Sequence, residues 1–315
     1  MTAPVSRPYA LYDVFTATPF CGNPLAVVFA ADGLSDERMQ TIAAEFNLSE
    51  TVFINKPVNP AHTAALRIFT AVQELPFAGH PTVGAAIAIV EARRIAAGDA
   101  LSGVNTSVEM LEEKIGLVRA AVRIAPDRPG FCEFDLPKRS AHVEVDFDEA
   151  MIAAALGLGL HEIGFENHRM GVWSAGVPIL LVPVGDVETV SRAVCNATLW
   201  QETAPVVAGK EGPAFAYVYS RGGVSHDADF HARMFAPGEG FVEDPATGAA
   251  VAALSGAIAL FDGLNDGHHN YRIEQGVEMG RPSSIGLHLD VAGGQVAQAR
   301  IGGEAVMIAS GHLLV

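Results

Sequence analysis

A chain of 315 residues is long enough for two domains of ordinary size. Half of it is hydrophobic and only 18% is charged, a balance that excludes a disordered polymer. The formal net charge is -16 with no basic cluster, which argues against nucleic acid and anionic membrane surfaces as partners.

In chain order, Tyr9–Thr16 alternates and is rich in aromatic and β-branched residues, so it predicts a strand. Phe20-Cys21-Gly22-Asn23-Pro24 is a turn, and Leu25–Ala30 a short apolar strand. Ser35 is an N-cap for a helix ending near Phe46. Asp36 and Glu37 sit in its first turn, and Asn47 is its left-handed stop. Leu48-Ser49-Glu50 is a tight connection to a strand over Thr51–Asn55. Ala64–Phe69 is a further strand, then a loop leads to a helix from Pro81 to about Ala97, apolar nearly all round and therefore enclosed. Weaker strand signals follow at Ser107–Met110, Gly116–Ile124 and Glu133–Leu136.

Near residue 130 the pattern restarts. A short helix over Asp148–Leu156 precedes Gly171–Val184, which echoes the first strands. Val187–Cys195 matches the first helix, and Ala214–Ser220 is a strand. Asp229–Ala236 corresponds to Leu66–Ala71, with Arg233 and Phe235 opposite Arg67 and Phe69. A second buried helix runs from Pro245 to about Phe261, and alternating strands close the chain at Ile285–Val291, Val296–Ile301 and Ala305–Ile308. The adjacent His268-His269 lacks partners at metal-ligand spacing and reads as a solvated loop. The chain is thus a duplicated unit of α+β structure.

The two apolar helices are short or rich in small residues, which suits buried core and not a membrane span. Cys21, Cys132 and Cys195 are far apart, odd in number and fit no zinc or Cys-x-x-Cys pattern. They read as reduced thiols of a cytoplasmic protein. Met1 to Ala10 lacks the apolar core of a signal peptide.

The chain states one motif twice. Phe77-Ala78-Gly79-His80-Pro81 and Phe241-Val242-Glu243-Asp244-Pro245 align without gaps, and His80 falls opposite Asp244. In both, a proline after the titratable residue predicts a helix start, where N–H groups and the helix dipole favour an anion. Asp before a proline-led helix is also a preferred N-cap, but His is not, so the pair points to a site. Glu50, Glu74 and Glu243 are further loop carboxylates that local sequence does not separate. Thr82 and Thr247 either donate to a substrate or pack at the helix starts, and Arg281 either binds a carboxylate or serves a turn. No dinucleotide or Walker fingerprint and no Gly-x-Ser-x-Gly elbow occurs. What remains is acid–base chemistry by side chains, without cofactor or metal.

Tyr12-Asp13-Val14-Phe15, Gly22-Asn23-Pro24-Leu25-Ala26-Val27, Asn47-Leu48-Ser49-Glu50-Thr51-Val52-Phe53, Glu74-Leu75-Pro76-Phe77-Ala78-Gly79-His80-Pro81-Thr82, Glu243-Asp244-Pro245-Ala246-Thr247-Gly248 and Gln275-Gly276…Gly280-Arg281-Pro282-Ser283 resemble, in order and over nearly the whole chain, the phenazine-biosynthesis PhzF-like family. The resemblance implies a diaminopimelate-epimerase-like fold of two pseudo-symmetric domains, each a β-barrel-like sheet around a central helix, with the active site between them. The domains are expected at residues 1–130, completed by a C-terminal strand at about 300–315, and at residues 131–300. A homodimer and a small-molecule carboxylate substrate are also implied. The family's proton-shuttling glutamate lands on Glu50, its site histidine on His80 and its site aspartate on Asp244. Gly79, Thr82, Gly248 and Ala249 are the implied substrate-binding positions. Ala249 departs from the Ser carried by many members, which bears on the substrate more than on proton transfer.

The implied activity is cofactor-independent isomerisation like that of trans-2,3-dihydro-3-hydroxyanthranilate, with Glu50 as general acid/base. Two alternatives stand beside it: an amino-acid or hydroxy-acid racemase or epimerase, and a non-catalytic binding protein on the same fold. The paired loops carry no cysteines, which disfavours a two-thiol racemase.

Overall fold

The computed structural model describes residues 5–98, 103–209, 212–238 and 242–315, so Phe241, the first residue of the second motif, lies outside the described residues. The chain divides into two units, Met1–Pro137 with Gly302–Val315, and Lys138–Ile301. The first unit holds β1 (Ser6–Val14), β2 (Asn23–Val28), α1 (Asp36–Phe46), β3 (Glu50–Asn55), β4 (Ala64–Phe69), β5 (Glu74–Leu75), α2 (Gly79–Ala96), β6 (Asn105–Glu113), β7 (Gly116–Ala125) and β8 (Arg128–Asp135). The second holds β9 (Ala141–Val143), α3 (Glu149–Ala155), β10 (Gly171–Ser174), β11 (Pro178–Pro183), α4 (Val187–Arg192), α5 (Ala197–Thr203), β12 (Phe215–Arg221), β13 (Phe230–Phe235), β14 (Glu243–Asp244), α6 (Gly248–Phe261), β15 (Gly267–Gln275) and β16 (Ser283–Ala292). The last strand, β17 (Gln295–Leu314), contributes to both units.

In the first unit β1, β2, β3, β4, β6, β7 and β8 pair in succession, and β17 joins β8 to β1, so the sheet closes on itself. Closure leaves no open edge among these strands. α2 is buried without interruption from Gly79 to Val90, which is why its sequence is apolar on every side. Gly84 allows its close approach to β1 and β2: a Cβ there would stand 2.4 Å from Leu25 Cδ2 and 2.9 Å from Val14 Cγ2.

The second unit repeats the plan. β11–β12 and β13–β15 are parallel pairs, as β2–β3 and β4–β6 are in the first. β14 pairs with β13 as β5 pairs with β4, and each short strand leads into the central helix of its unit, α6 or α2. The α+β class and its duplication are therefore as expected. No helix among the described residues is long and apolar enough to cross a membrane.

Several local expectations are corrected. The first apolar helix begins at Gly79, two residues before Pro81, because a proline is equally free of a required N–H throughout a first turn. The second begins at Gly248, three residues after Pro245, with Thr247 extended at φ -117 as its N-cap. Glu50 is the first residue of β3, held in register opposite Leu25, and not part of the preceding turn. His268 and His269 lie in β15, where His268 pairs with Asp290. Residues 305–308 continue one long strand from Gln295 to Leu314. By contrast α1 starts and stops as predicted: Ser35 Oγ accepts from the Arg38 N–H at 3.2 Å, and Asn47 is left-handed at φ 51, ψ 39.

Candidate active site

In the first unit the entry to α2 is pinned from outside. Arg67 on β4 clamps Glu74 on β5 through Nε–Oε1 at 2.8 Å and a second nitrogen to Oε2 at 2.6 Å. Three residues on, Phe77 packs edge-on against Phe134, ring centroids 5.6 Å apart. Gly79 and His80 are then the first two helical residues, so their N–H groups have no intrahelical acceptor. His80 is 3% exposed and reaches two neighbours. The Asn23 side-chain amide donates to its Nδ1 at 3.3 Å, which leaves the ring proton on Nε2. That nitrogen faces Glu50 Oε2 at 3.4 Å. Burial lowers the His80 pKa to about 3, so at neutral pH the ring is an uncharged donor turned toward a carboxylate. The Glu50 side chain is 13% exposed, and β3 fixes its backbone. The structure thus gathers Glu50, His80 and a residue the sequence did not single out, Asn23.

The second unit builds its counterpart around Asp244. Arg233 on β13 clamps Glu243 in the same bidentate way, at 2.8 Å for both contacts. Asp244 follows directly and is 7% exposed. Its Oδ2 accepts from the Thr247 hydroxyl at 2.5 Å. It is not the helix cap expected of an Asp before a proline, since α6 has no side-chain cap. Gln275 completes the arrangement. Its amide nitrogen donates to the Asp244 carbonyl at 2.7 Å and to Thr247 Oγ1 at 3.0 Å, while its oxygen accepts from Thr247 N–H at 3.2 Å and Tyr217 OH at 3.1 Å. Ser283 Oγ donates to the Pro245 carbonyl at 2.9 Å. Gly276 turns with φ 77 so close to this loop that a Cβ would lie 2.5 Å from the Pro245 oxygen. The stretch from Gln275 to Ser283 is therefore the brace that shapes the Asp244 loop. Its signal in the sequence was the family motif itself.

The loop carboxylates are now separated. Glu74 and Glu243 are consumed by their arginines, and Lys114 adds a second cation on Glu74 at 2.5 Å. Thr82 is fully buried, with its hydroxyl 2.8 Å from both the Ala78 carbonyl and Glu113 Oε1. Gly248 and Ala249 open α6, where their N–H groups lie in the first turn beside Asp244 and Thr247 in sequence. The cysteines are unpaired with one another, and burial raises the thiol pKa values of Cys132 and Cys195, the latter to about 11. None stands at either helix start.

A family model described as phenazine biosynthesis-like protein matches residues 12–311. An uncharacterized isomerase of Mesorhizobium japonicum is 51% identical over 312 residues, covering 98% of this chain and 99% of its own. The trans-2,3-dihydro-3-hydroxyanthranilate isomerase of Pseudomonas aeruginosa is 33% identical over 307 residues, covering 96% of this chain and 98% of its own. Among solved structures, a PhzF-family phenazine biosynthesis protein of Bacillus anthracis shares the fold with a TM-score of 0.83 at 22% identity, covering 99% of this chain and 100% of its own.

Proposed function

Because the chain belongs to the phenazine biosynthesis-like family, we propose that it is an isomerase that moves a proton between two carbons of a small carboxylate, with Glu50 as the group that carries it. The observation that carries this reading is the pairing of a largely shielded Glu50 carboxylate with the uncharged N–H donor of buried His80. As base, Glu50 takes a proton from one carbon, and the electron pair left behind shifts the adjacent double bond. As acid, it returns the proton to a second carbon, so no atom or electron is gained or lost and no redox carrier is required. His80 and Asp244 position and polarise the substrate. The first-turn N–H groups at Gly79, Gly248 and Ala249 bind its carboxylate and the charge that develops. At Ala249 only the backbone is offered, so that position selects no hydroxyl-dependent contact. Thr82 serves this site as a support for the α2 start. We also place the protein in the cytoplasm as a homodimer, which light scattering tests by a mass twice that of one chain.

Proton NMR in D₂O tests the reaction. Wild type and Glu50→Gln are each incubated with trans-2,3-dihydro-3-hydroxyanthranilate. Wild type is expected to convert it, with deuterium arriving at carbon, and the variant to be slower by about 10³-fold. Equal rates would remove Glu50 as the proton carrier. No reaction with wild type would remove this compound as substrate, and deuterium exchange at a stereocentre without isomerisation would favour an epimerase.

A further inference from the structure

Glu113, the last residue of β6, has no part in the proton transfer above, yet it is 8% exposed and ends at the helix that carries His80. Its place in the duplication gives it meaning. β4 runs parallel to β6 with Ala65 opposite Glu112, and β13 runs parallel to β15 with His231 opposite Glu274. Taking Arg67 and Arg233 as equivalents, Ala65 matches His231, Glu112 matches Glu274, and Glu113 matches Gln275. The intermediate pair confirms the register. Glu112 accepts from the N–H groups of Val58 and Asn59 and meets His62 Nδ1, while Glu274 accepts from Val224 and Ser225 and meets His231 Nδ1.

Gln275 donates to Thr247 Oγ1, and that hydroxyl donates to Asp244. In the first unit the Thr82 hydroxyl has a single proton and two oxygen partners, the Ala78 carbonyl and Glu113 Oε1, each at 2.8 Å. A carbonyl only accepts. With Glu113 ionised, Thr82 must split its one proton between two acceptors, whereas a protonated Glu113 that donates to Thr82, which in turn donates to Ala78, gives each contact a proton of its own. We propose that Glu113 acts as an uncharged carboxylic acid, a positioning residue that orders the first turn of α2 through Thr82 and so sets His80 against Glu50. It does with an acid what Gln275 does with an amide. The proposal rests on His80 and Glu50 being the working pair.

The surroundings agree. Burial raises the Glu113 pKa to about 8, and Thr82 is the one group that opposes the rise. Its neighbours in the chain are engaged elsewhere, Glu112 with His62 and Lys114, just past β6, with Glu74, and Glu109 on the same face of β6 with Arg93. On α2, Glu91 is held by Tyr12 at 2.6 Å. β7 places Gly116, without a side chain, opposite it. The Ile115 N–H also donates to the Pro76 carbonyl at 3.0 Å, tying the end of β6 to the loop before α2.

Infrared and NMR spectra of the full chain test this without any substrate. In D₂O at pH 6, wild type is expected to show a protonated-carboxyl stretch that Glu113→Gln lacks and that wild type loses above about pH 8. The ¹⁵N signals of the His80 ring should stay at their wild-type positions in Glu113→Gln and move in Glu113→Ala. In wild type they should also move as the pH passes about 8, and in Glu113→Gln they should not. A carboxyl band unchanged in Glu113→Gln, or ring signals displaced in that variant at pH 6, would overturn the proposal. The Gln variant decides it even where the Ala variant does not fold. Turnover adds an alkaline limb present in wild type and absent in Glu113→Gln. Loss of all turnover in wild type would count against the reaction proposed above and leave the spectral result standing.

Discussion

The starts of α2 and α6 are built from the same parts and end in different chemistry. Each follows an arginine–glutamate clamp between neighbouring antiparallel strands, and each has a threonine hydroxyl hydrogen-bonded to the residue that ends a parallel strand. In the first unit the titratable side chain, His80, lies inside the helix, is stripped of charge by burial, and faces Glu50. In the second, Asp244 lies in the strand before the helix and is gripped by a hydroxyl. A duplicated frame thus tolerates divergence at the positions it presents. It retains the clamps and relays, because those satisfy buried polar groups that would otherwise cost about 1–3 kcal/mol each.

The comparison is broken most sharply by Glu50→Gln, which has no counterpart in the second unit and removes the proton carrier at an expected cost of about 10³-fold in rate, read by the NMR assay above. Next come the clamps. Arg233 is 9% exposed and also donates to the carbonyls of Ser191 and Ala193 at 2.9 and 2.7 Å. The third arm of Arg67 goes instead to Asp36, whose side chain is 81% exposed. Arg233→Ala should therefore cost about 3 kcal/mol of unfolding free energy, because buried partners are left unpaired. Arg67→Ala should cost about 1 kcal/mol, because water replaces part of what is lost. Urea denaturation of the two variants measures the gap, and equal costs would contradict the difference in burial.

Gln275→Glu converts the second relay to the chemistry of the first. The new acid has one proton where the amide has two, so it keeps one of the two donations when protonated and neither when ionised beside Asp244. We expect a loss of about 2 kcal/mol at pH 8 that shrinks at pH 5, from denaturation curves at the two pH values. The pH dependence of wild type sharpens the same contrast. His80 has a folded pKa near 3 against an ordinary 6.5, so the unfolded chain binds the extra proton and stability rises with pH across that window. Glu113 has a folded pKa near 8 against an ordinary 4.5, so the folded chain holds the extra proton and stability falls with pH across its window. Together they contribute a rise from pH 3 to 4.5, a plateau to 6.5 and a fall to 8, each slope being about 1.4 kcal/mol per pH unit. Glu113→Gln should remove the alkaline fall.

The smallest effects belong to the paired helices α1 and α4. Their caps, Ser35 and Asp186, accept from Arg38 and Thr189 N–H groups at 3.2 and 2.8 Å. Each alanine substitution should cost about 1 kcal/mol, and Asp186 the more, since its charge also meets the helix dipole.

Local chemistry alone determined a good part of this protein. Alternation and apolar runs located most strands, and Ser35 and Asn47 bounded α1, because capping and left-handed stops are decided within a few residues. The echo of Arg67 and Phe69 in Arg233 and Phe235 exposed the duplication, since equivalent strands need equivalent partners. The repeated motif marked His80 and Asp244 as candidates, and the family motifs added Glu50. Proline could not fix where either helix begins: Pro81 sits inside the first turn of α2, where its missing N–H is not needed, and Pro245 lies in the loop before α6. Nor could local sequence tell Glu50 from Glu74 and Glu243, or give roles to Asn23, Glu113 and Gln275. Those distinctions depend on which strand lies beside which: the arginines consume two carboxylates, and the parallel pairing of β4 with β6 and β13 with β15 brings residues some thirty positions away to the helix starts. Charge, protonation and hydrogen-bond direction at those starts are properties of burial and contact, and only the tertiary structure supplies both.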